Sequence, residues 1–263
     1  VSPVLFNAVD LALGVAEASG GAFDPVLPFG ASETRAEGAG TGAAHGANGV
    51  DAGHGSGATR CADGEGIGRV NYRHVALDRS KRTITLARPL ALDLGALAKG
   101  LAIDLAAREL RGLGGFILDA GGDLYLGGST GAGEPWTVGI RHPREKERLI
   151  DAVRVSDMAV CTSGDYEGQN VRGRRRCAPG GGLVDRRSGL AATRLASVTV
   201  VARSAMVADA LGTAAFILGP QEGVAFLERQ GVQGLLLTPS LERFGTRAAA
   251  GRSSFAGTLA GRL

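Results

Sequence analysis

The stretch Leu195-Ala-Ser-Val-Thr-Val-Val-Ala202-Arg203-Ser204-Ala-Met-Val-Ala-Asp209-Ala-Leu-Gly-Thr213-Ala-Ala-Phe-Ile-Leu218-Gly219-Pro220 reads as a strand followed at once by a helix. Residues 195–202 are a short apolar run with several β-branched side chains, bounded by polar residues, as a buried strand requires. Ser204 is a good N-cap and Gly219-Pro220 a good stop, so 204–218 is expected to be helical. On that helix Asp209 and Thr213 stand at i and i+4, and their oxygens project from one face. A carboxylate and a hydroxyl together suit a hard cation such as Mg²⁺ or Ca²⁺. The rest of the helix is apolar or small, and a lone Asp buried there without a partner is costly. Spacing alone still favours the ordinary alternative, a solvent-facing Asp with Thr213 bonded back to the helix backbone.

Outward from this unit, strands are expected at 115–119, 123–127, 136–140, 150–155, 158–162 and 233–238. Helices are expected at 4–18, 97–111 and 220–230, and a hairpin around Asp78-Arg79-Ser80-Lys81. Strands cluster in the middle with helices around them, which predicts an α+β fold with mixed or antiparallel sheets. Residues 35–68 are Gly, Ala and small polar residues without periodicity. Such a segment buries too little to offset its ordering entropy and reads as a flexible insertion in a single domain spanning 1–263.

The bulk properties are those of an ordinary globular chain. Twenty-nine basic and 26 acidic residues leave a net charge of +3, too balanced to argue for nucleic acid. The one dense basic run is Arg172, Arg174, Arg175 and Arg176, best read as a solvated loop. Three cysteines, Cys61, Cys161 and Cys177, have no metal-ligand spacing and cannot form a closed disulfide set. No apolar run reaches the ~20 residues of a membrane-spanning helix, and no signal peptide is visible.

Three more segments could carry chemistry. Asp93-Leu-Gly-Ala96-Leu-Ala-Lys99-Gly100 enters a helix, and Lys99 is one of only three lysines. A lysine at a helix entrance can hold a phosphate as a point charge, although an ordinary helix start reads the same way. Asp119-Ala-Gly-Gly-Asp123 joins two apolar runs; a plain hairpin turn is at least as good a reading as a ligand contact. Thr162-Ser-Gly-Asp-Tyr166 and Asp185-Arg-Arg-Ser-Gly189 read as polar loops, each weak alone.

In this order, together with Gly21-Ala-Phe-Asp-Pro25 and Asp104, these segments resemble the FAD:protein FMN transferases, the ApbE family. The resemblance implies a T-fold-like ApbE architecture. It implies Mg²⁺-dependent transfer of FMN from FAD to a threonine hydroxyl of an acceptor protein, with release of AMP. Asp209 and Thr213 match the family's side-chain metal ligands, and Ala96 matches a residue that offers its carbonyl. Lys99, Asp93, Ala22, Phe23 and Asp24 match FAD-contacting positions. The acceptor hydroxyl needs a base, and Asp185 is the candidate. The resemblance implies a cell-envelope location, and a cytoplasmic one stays open because no export signal is visible in this chain.

Two departures stand out. Gly182 occupies the place of a family histidine implicated in transfer, and His142 is the nearest histidine in sequence. The family's N-terminal portion, which helps cover the flavin, is expected to be missing from this chain. These departures keep two alternatives open: a non-catalytic FAD-binding homologue, and an FAD pyrophosphatase yielding FMN and AMP.

Overall fold

A computed structural model describes residues 1–29, 70–145, 147–165 and 183–247. The segment 35–68, the arginine run, Tyr166, Gly182, Cys61 and Cys177 lie outside these residues.

The opening strand–helix unit forms as expected, with β12 (Ser197–Ala202) leading into α3 (Ala205–Leu218). Around it stands a six-stranded sheet. Its other members are β5 (Gly115–Ala120), β6 (Asp123–Gly128), β9 (Met158–Gly164), β13 (Gln233–Leu237) and β14 (Arg243–Gly245). The spatial order is β14-β13-β12-β9-β6-β5, and every neighbouring pair is antiparallel.

Side-chain alternation divides this sheet into two buried faces. Ala159 and Cys161 of β9, Val198, Val200 and Ala202 of β12, and Leu236 of β13 join one core with α3. Their neighbours Val160 and Val201 point the other way, against Val138, Val153 and Val155. Those three belong to a hairpin of β7 (Trp136–Arg141) and β8 (Leu149–Val155). Leu235 and Leu237 likewise pack on Ile140 of that hairpin. With both faces covered, β12 is buried at every residue, so an apolar run without strict alternation suits it.

The helical face carries α1 (Pro3–Ala18), α2 (Gly95–Glu109), α3 and α4 (Pro220–Arg229). Helix α1 starts on Ser2, whose hydroxyl accepts from Leu5 N, and ends where Gly20 and Gly21 turn left-handed at φ 64° and 81°. Phe216 and Phe226 are almost wholly buried. Each contributes roughly 1.5–3 kcal/mol of hydrophobic stabilisation.

The expected long elements all occur, with ends displaced by no more than two residues. Short pairings were not expected: β1 (Val26–Pro28) with β4 (Leu90–Leu92), β10 (Val184–Asp185) with β11 (Leu190–Ala191), and the edge strand β14. Strands of two or three residues carry too little periodicity to read. The hairpin near Asp78 forms as β2 (Val75–Asp78) and β3 (Thr83–Leu86). Among the described residues no helix is long and apolar enough to cross a membrane.

Candidate functional site

The site forms where α2 and α3 cross over the helical face of β6 and β9. Register places the first contributor. Ala120 pairs with Asp123 across a tight turn in which Gly121 and Gly122 take φ of 68° and 99°. Two successive positive φ values favour glycine, so the Gly-Gly pair is explained by the turn. Asp123 shares a face with Tyr125, toward the helices, and is only 1% exposed. Its Oδ1 accepts from Thr162 N at 3.0 Å, and its Oδ2 accepts from Lys99 Nζ at 2.6 Å.

Helix α3 supplies Asp209 and Thr213, both buried. Asp209 Oδ2 accepts from Gly100 N at 3.3 Å, an amide inside α2. Ala96 lies one turn before Gly100 on the same helix. Thr213 Oγ1 lies 3.4 Å from Ser163 Oγ, and Gly212 allows this approach, since a Cβ there would stand 3.2 Å from the same hydroxyl. The solvent-facing alternative for Asp209 is therefore wrong, because α2 and the sheet enclose the face that α3's sequence left unassigned.

Burial pushes the Asp209 carboxyl up to about 7, and the nearby Asp123 carboxylate adds to the rise. Lys99 and the Gly100 amide oppose it. Above about pH 7, where Asp209 ionises, two buried carboxylates share one ammonium and the centre is net negative. The same burial pushes the Cys161 thiol far above its ordinary range, and its Sγ lies 3.6 Å from Ala205 O, as befits a core residue.

The donor set fits a hard divalent cation. Every candidate donor is oxygen: the Asp209 carboxylate, the Thr213 hydroxyl and the Ala96 carbonyl. Among the described residues no group of three His, Cys, Asp or Glu side chains that could hold a metal ion is present.

The other expected residues gather beside the start of α2. Asp93 N donates to Pro25 O at 2.7 Å, and Asp93 Oδ1 accepts from Gly95 N at 2.9 Å. Ala22 and Phe23 bury their side chains in the core. Asp24 accepts from Val26 N and Tyr72 N, both at 2.9 Å. Burial raises its pKa, against the pull of those amides and of Arg186 and Arg73. Arg186 ties the 183–189 loop to this corner through Ala22 O at 3.1 Å and Val26 O at 2.8 Å. On that loop Asp185 is gripped by Arg187, which donates from Nε at 3.0 Å and Nη2 at 2.7 Å. Asp165 is held in the same bidentate way by Arg144, at 2.7 and 2.5 Å.

Asp123 and Ser163 stand beside Lys99 and Thr213; both lie in segments that the sequence singled out, but neither was given a role of its own. Asp123 follows a Gly-Gly turn and Ser163 sits near a strand end, and neither position announces its partner. A separate groove of about 520 Å³, lined by Asn7, Asp10, Leu11, Arg79, Val207 and others, includes none of these residues.

The model of the ApbE family matches residues 1–236. The FAD:protein FMN transferase of Escherichia coli K12 is 32% identical over 161 residues, 60% of this chain and 45% of that protein. Its Haemophilus influenzae counterpart is 29% identical over 187 residues, 68% of this chain and 53% of that protein. The chain thus spans about half the length of these curated relatives. Among solved structures, an ApbE protein from Thermotoga maritima superposes with a TM-score of 0.71 at 26% identity, over 94% of this chain and 77% of that one. The apo flavinyl transferase ApbE of Pseudomonas stutzeri gives 0.66 at 25% identity, over 94% and 73%. With the family model covering nearly the whole described chain and the fold shared with these structures, the protein belongs to the ApbE family.

Proposed function

We propose that this chain moves the FMN half of FAD onto a threonine hydroxyl of an acceptor protein and releases AMP, with Mg²⁺ as the required metal. The observation that carries this reading is the buried centre of Asp209, Asp123 and Lys99, which holds one carboxylate more than its ammonium balances, in a chain whose relatives are named FAD:protein FMN transferases. Asp209, Thr213 and the Ala96 carbonyl would hold the metal. Bound there, Mg²⁺ would neutralise the diphosphate and the charge that develops during phosphoryl transfer.

The protein's own groups do the rest. Lys99, 44% exposed at its side chain, can exchange Asp123 for a phosphate oxygen as a point charge. Ala22, Phe23, Asp24 and Asp93 would meet the flavin nucleotide, Ala22 and Phe23 through their backbones because their side chains are in the core. The threonine oxygen bonds to the phosphorus of the FMN moiety. The bond from that phosphorus to the bridging oxygen breaks, and AMP leaves with the oxygen. The hydroxyl proton passes to a base, a role given to Asp185, with Arg187 beside it as a cation for the same diphosphate.

The test is incubation of the protein with FAD, Mg²⁺ and a library of threonine-containing peptides, read by mass spectrometry. A mass gain of one FMN on threonine but not on alanine counterparts is expected, with AMP released in equal amount. Gly182, standing where the family has a histidine, favours a second reading. FAD binding with neither a mass gain nor AMP would make the chain a non-catalytic FAD-binding homologue. AMP appearing without any acceptor would make it a pyrophosphatase.

A further inference from the structure

Asp104 lies on α2, away from every residue given a role above, yet its carboxylate makes three hydrogen bonds to the start of α3. Oδ2 accepts from Ser204 Oγ at 2.5 Å and from Met206 N at 3.1 Å, and Oδ1 accepts from Ala205 N at 2.7 Å. The Ser204 hydroxyl also accepts from Val207 N at 3.2 Å, and Ala208 N bonds to Ser204 O at 3.0 Å. The first four amides of α3 are therefore all satisfied, two of them by a side chain from another helix. A carboxylate at this end also meets the positive pole of the α3 dipole.

One turn back along α2, Gly100 touches the same place. A Cβ there would overlap the Ala205 carbonyl and the Met206 amide, so the two backbones are in direct contact. The Gly100 amide then reaches Asp209 at 3.3 Å, further along α3. The crossing is pinned at two successive turns of α2. On one side lie Ala96 and Lys99, and on the other Asp209 and Thr213. Ala96 is about 12 Å from Asp104 along the helix axis at ~1.5 Å per residue, so a small rotation at the pin becomes a displacement at the site.

We infer that Asp104 is a positioning residue: by clamping α2 to the N-terminus of α3 it sets the spacing between the Ala96–Lys99 and Asp209–Thr213 donors, and so the affinity for the divalent cation. This rests on the metal reading given above. An Asp whose only task were to cap α3 would affect stability alone. A positioning Asp must also affect ligand geometry, as supporting groups around metal ligands do, where loss typically weakens binding by roughly 10–100-fold.

The experiment titrates the full chain with Mn²⁺, followed by electron paramagnetic resonance, beside a thermal melt of each variant. Asp104→Asn keeps the side chain's shape, and Asp104→Glu keeps the charge but lengthens the arm. Ser204→Ala removes the cap bond to Val207 and one of the three Asp104 bonds, and leaves the Asp104 contacts to Ala205 and Met206. Asp104→Asn and Asp104→Glu are expected to bind Mn²⁺ at least about tenfold more weakly. Ser204→Ala is expected to melt earlier with Mn²⁺ affinity near that of the unaltered protein. Full affinity in Asp104→Glu would mean that charge alone matters, and full affinity in Asp104→Asn that the clamp is irrelevant; either overturns the inference. Equal weakening in Ser204→Ala would reduce Asp104 to a cap and also overturn it. An unaltered protein that binds no Mn²⁺ would instead fail the metal reading itself, and the positioning role with it.

Discussion

Lys99 Nζ lies 2.6 Å from Asp123 Oδ2, joining α2 to β6 at the point where Asp209 approaches from α3. This ammonium faces both carboxylates from a half-exposed position: its side chain is 44% exposed, whereas that of Asp123 is 1% exposed. Lys99→Met should therefore cost about 3 kcal/mol, because it leaves the buried Asp123 carboxylate without its ammonium. Asp123→Ala should cost less, about 1–2 kcal/mol, since Lys99 can turn to solvent and only the Thr162 amide is stranded. FAD affinity should fall about tenfold or more in Lys99→Met through the lost phosphate contact. Calorimetric melts and FAD titration check both, and equal destabilisation by the two variants would contradict the assignment.

The pH dependence of stability follows from Asp209. Its carboxyl is raised from 3.8 to about 7 by burial, so the folded state holds a proton that the unfolded state releases. Its stabilising contribution is complete below pH 3.8 and is lost as the pH rises through about 7. The metal-free protein should melt at a lower temperature at pH 8 than at pH 5, and Asp209→Asn should flatten that difference. Mg²⁺ should raise the melting temperature more at pH 8, where the carboxylate is ionised and ready to bind. An unchanged pH profile in Asp209→Asn would remove the claim. The companion Asp209→Ala should abolish Mg²⁺-dependent transfer and weaken metal binding.

Gly100→Ala tests the helix crossing. Alanine favours a helix by up to about 1 kcal/mol over glycine. Here its Cβ meets the backbone of Ala205 and Met206, which cannot swing aside as a flexible side-chain end could. The clash should win, with a net loss of about 1–3 kcal/mol. A variant that melts at or above the original temperature would show that the helices can part at no cost.

Asp185→Asn separates binding from transfer. The side chain is held by Arg187 rather than by the Asp209 centre. FAD and Mn²⁺ affinities should stay within about threefold of the original, while transfer falls by about 10²-fold or more if the residue accepts the acceptor's proton. Retained transfer in this variant would reassign the base.

Much of the fold was legible because it rests on local patterns. The apolar runs at 158–162 and 195–202 and the caps at Ser204 and Gly219 each report their own element. Three-residue strands such as β1 and β4 were not legible, since they exist only because Val26 finds Leu92 across the sheet. At the site, Asp209 and Thr213 were readable as a pair on one helix face. Asp123 was readable as the end of a turn or a ligand contact and Ser163 as part of a polar loop, but neither showed the partner it meets.

Sequence alone determined which helix could present a carboxylate and a hydroxyl together, and the ordered motifs carried the likeness to the ApbE family. Only the tertiary structure decided that this face is buried, that the Gly100 amide, 109 residues away, meets Asp209, and that Asp104 binds the helix start. The reason is physical. Helical and strand periodicity fix which way a side chain points relative to its own element, while the choice of which distant face it meets depends on packing all the elements into one core.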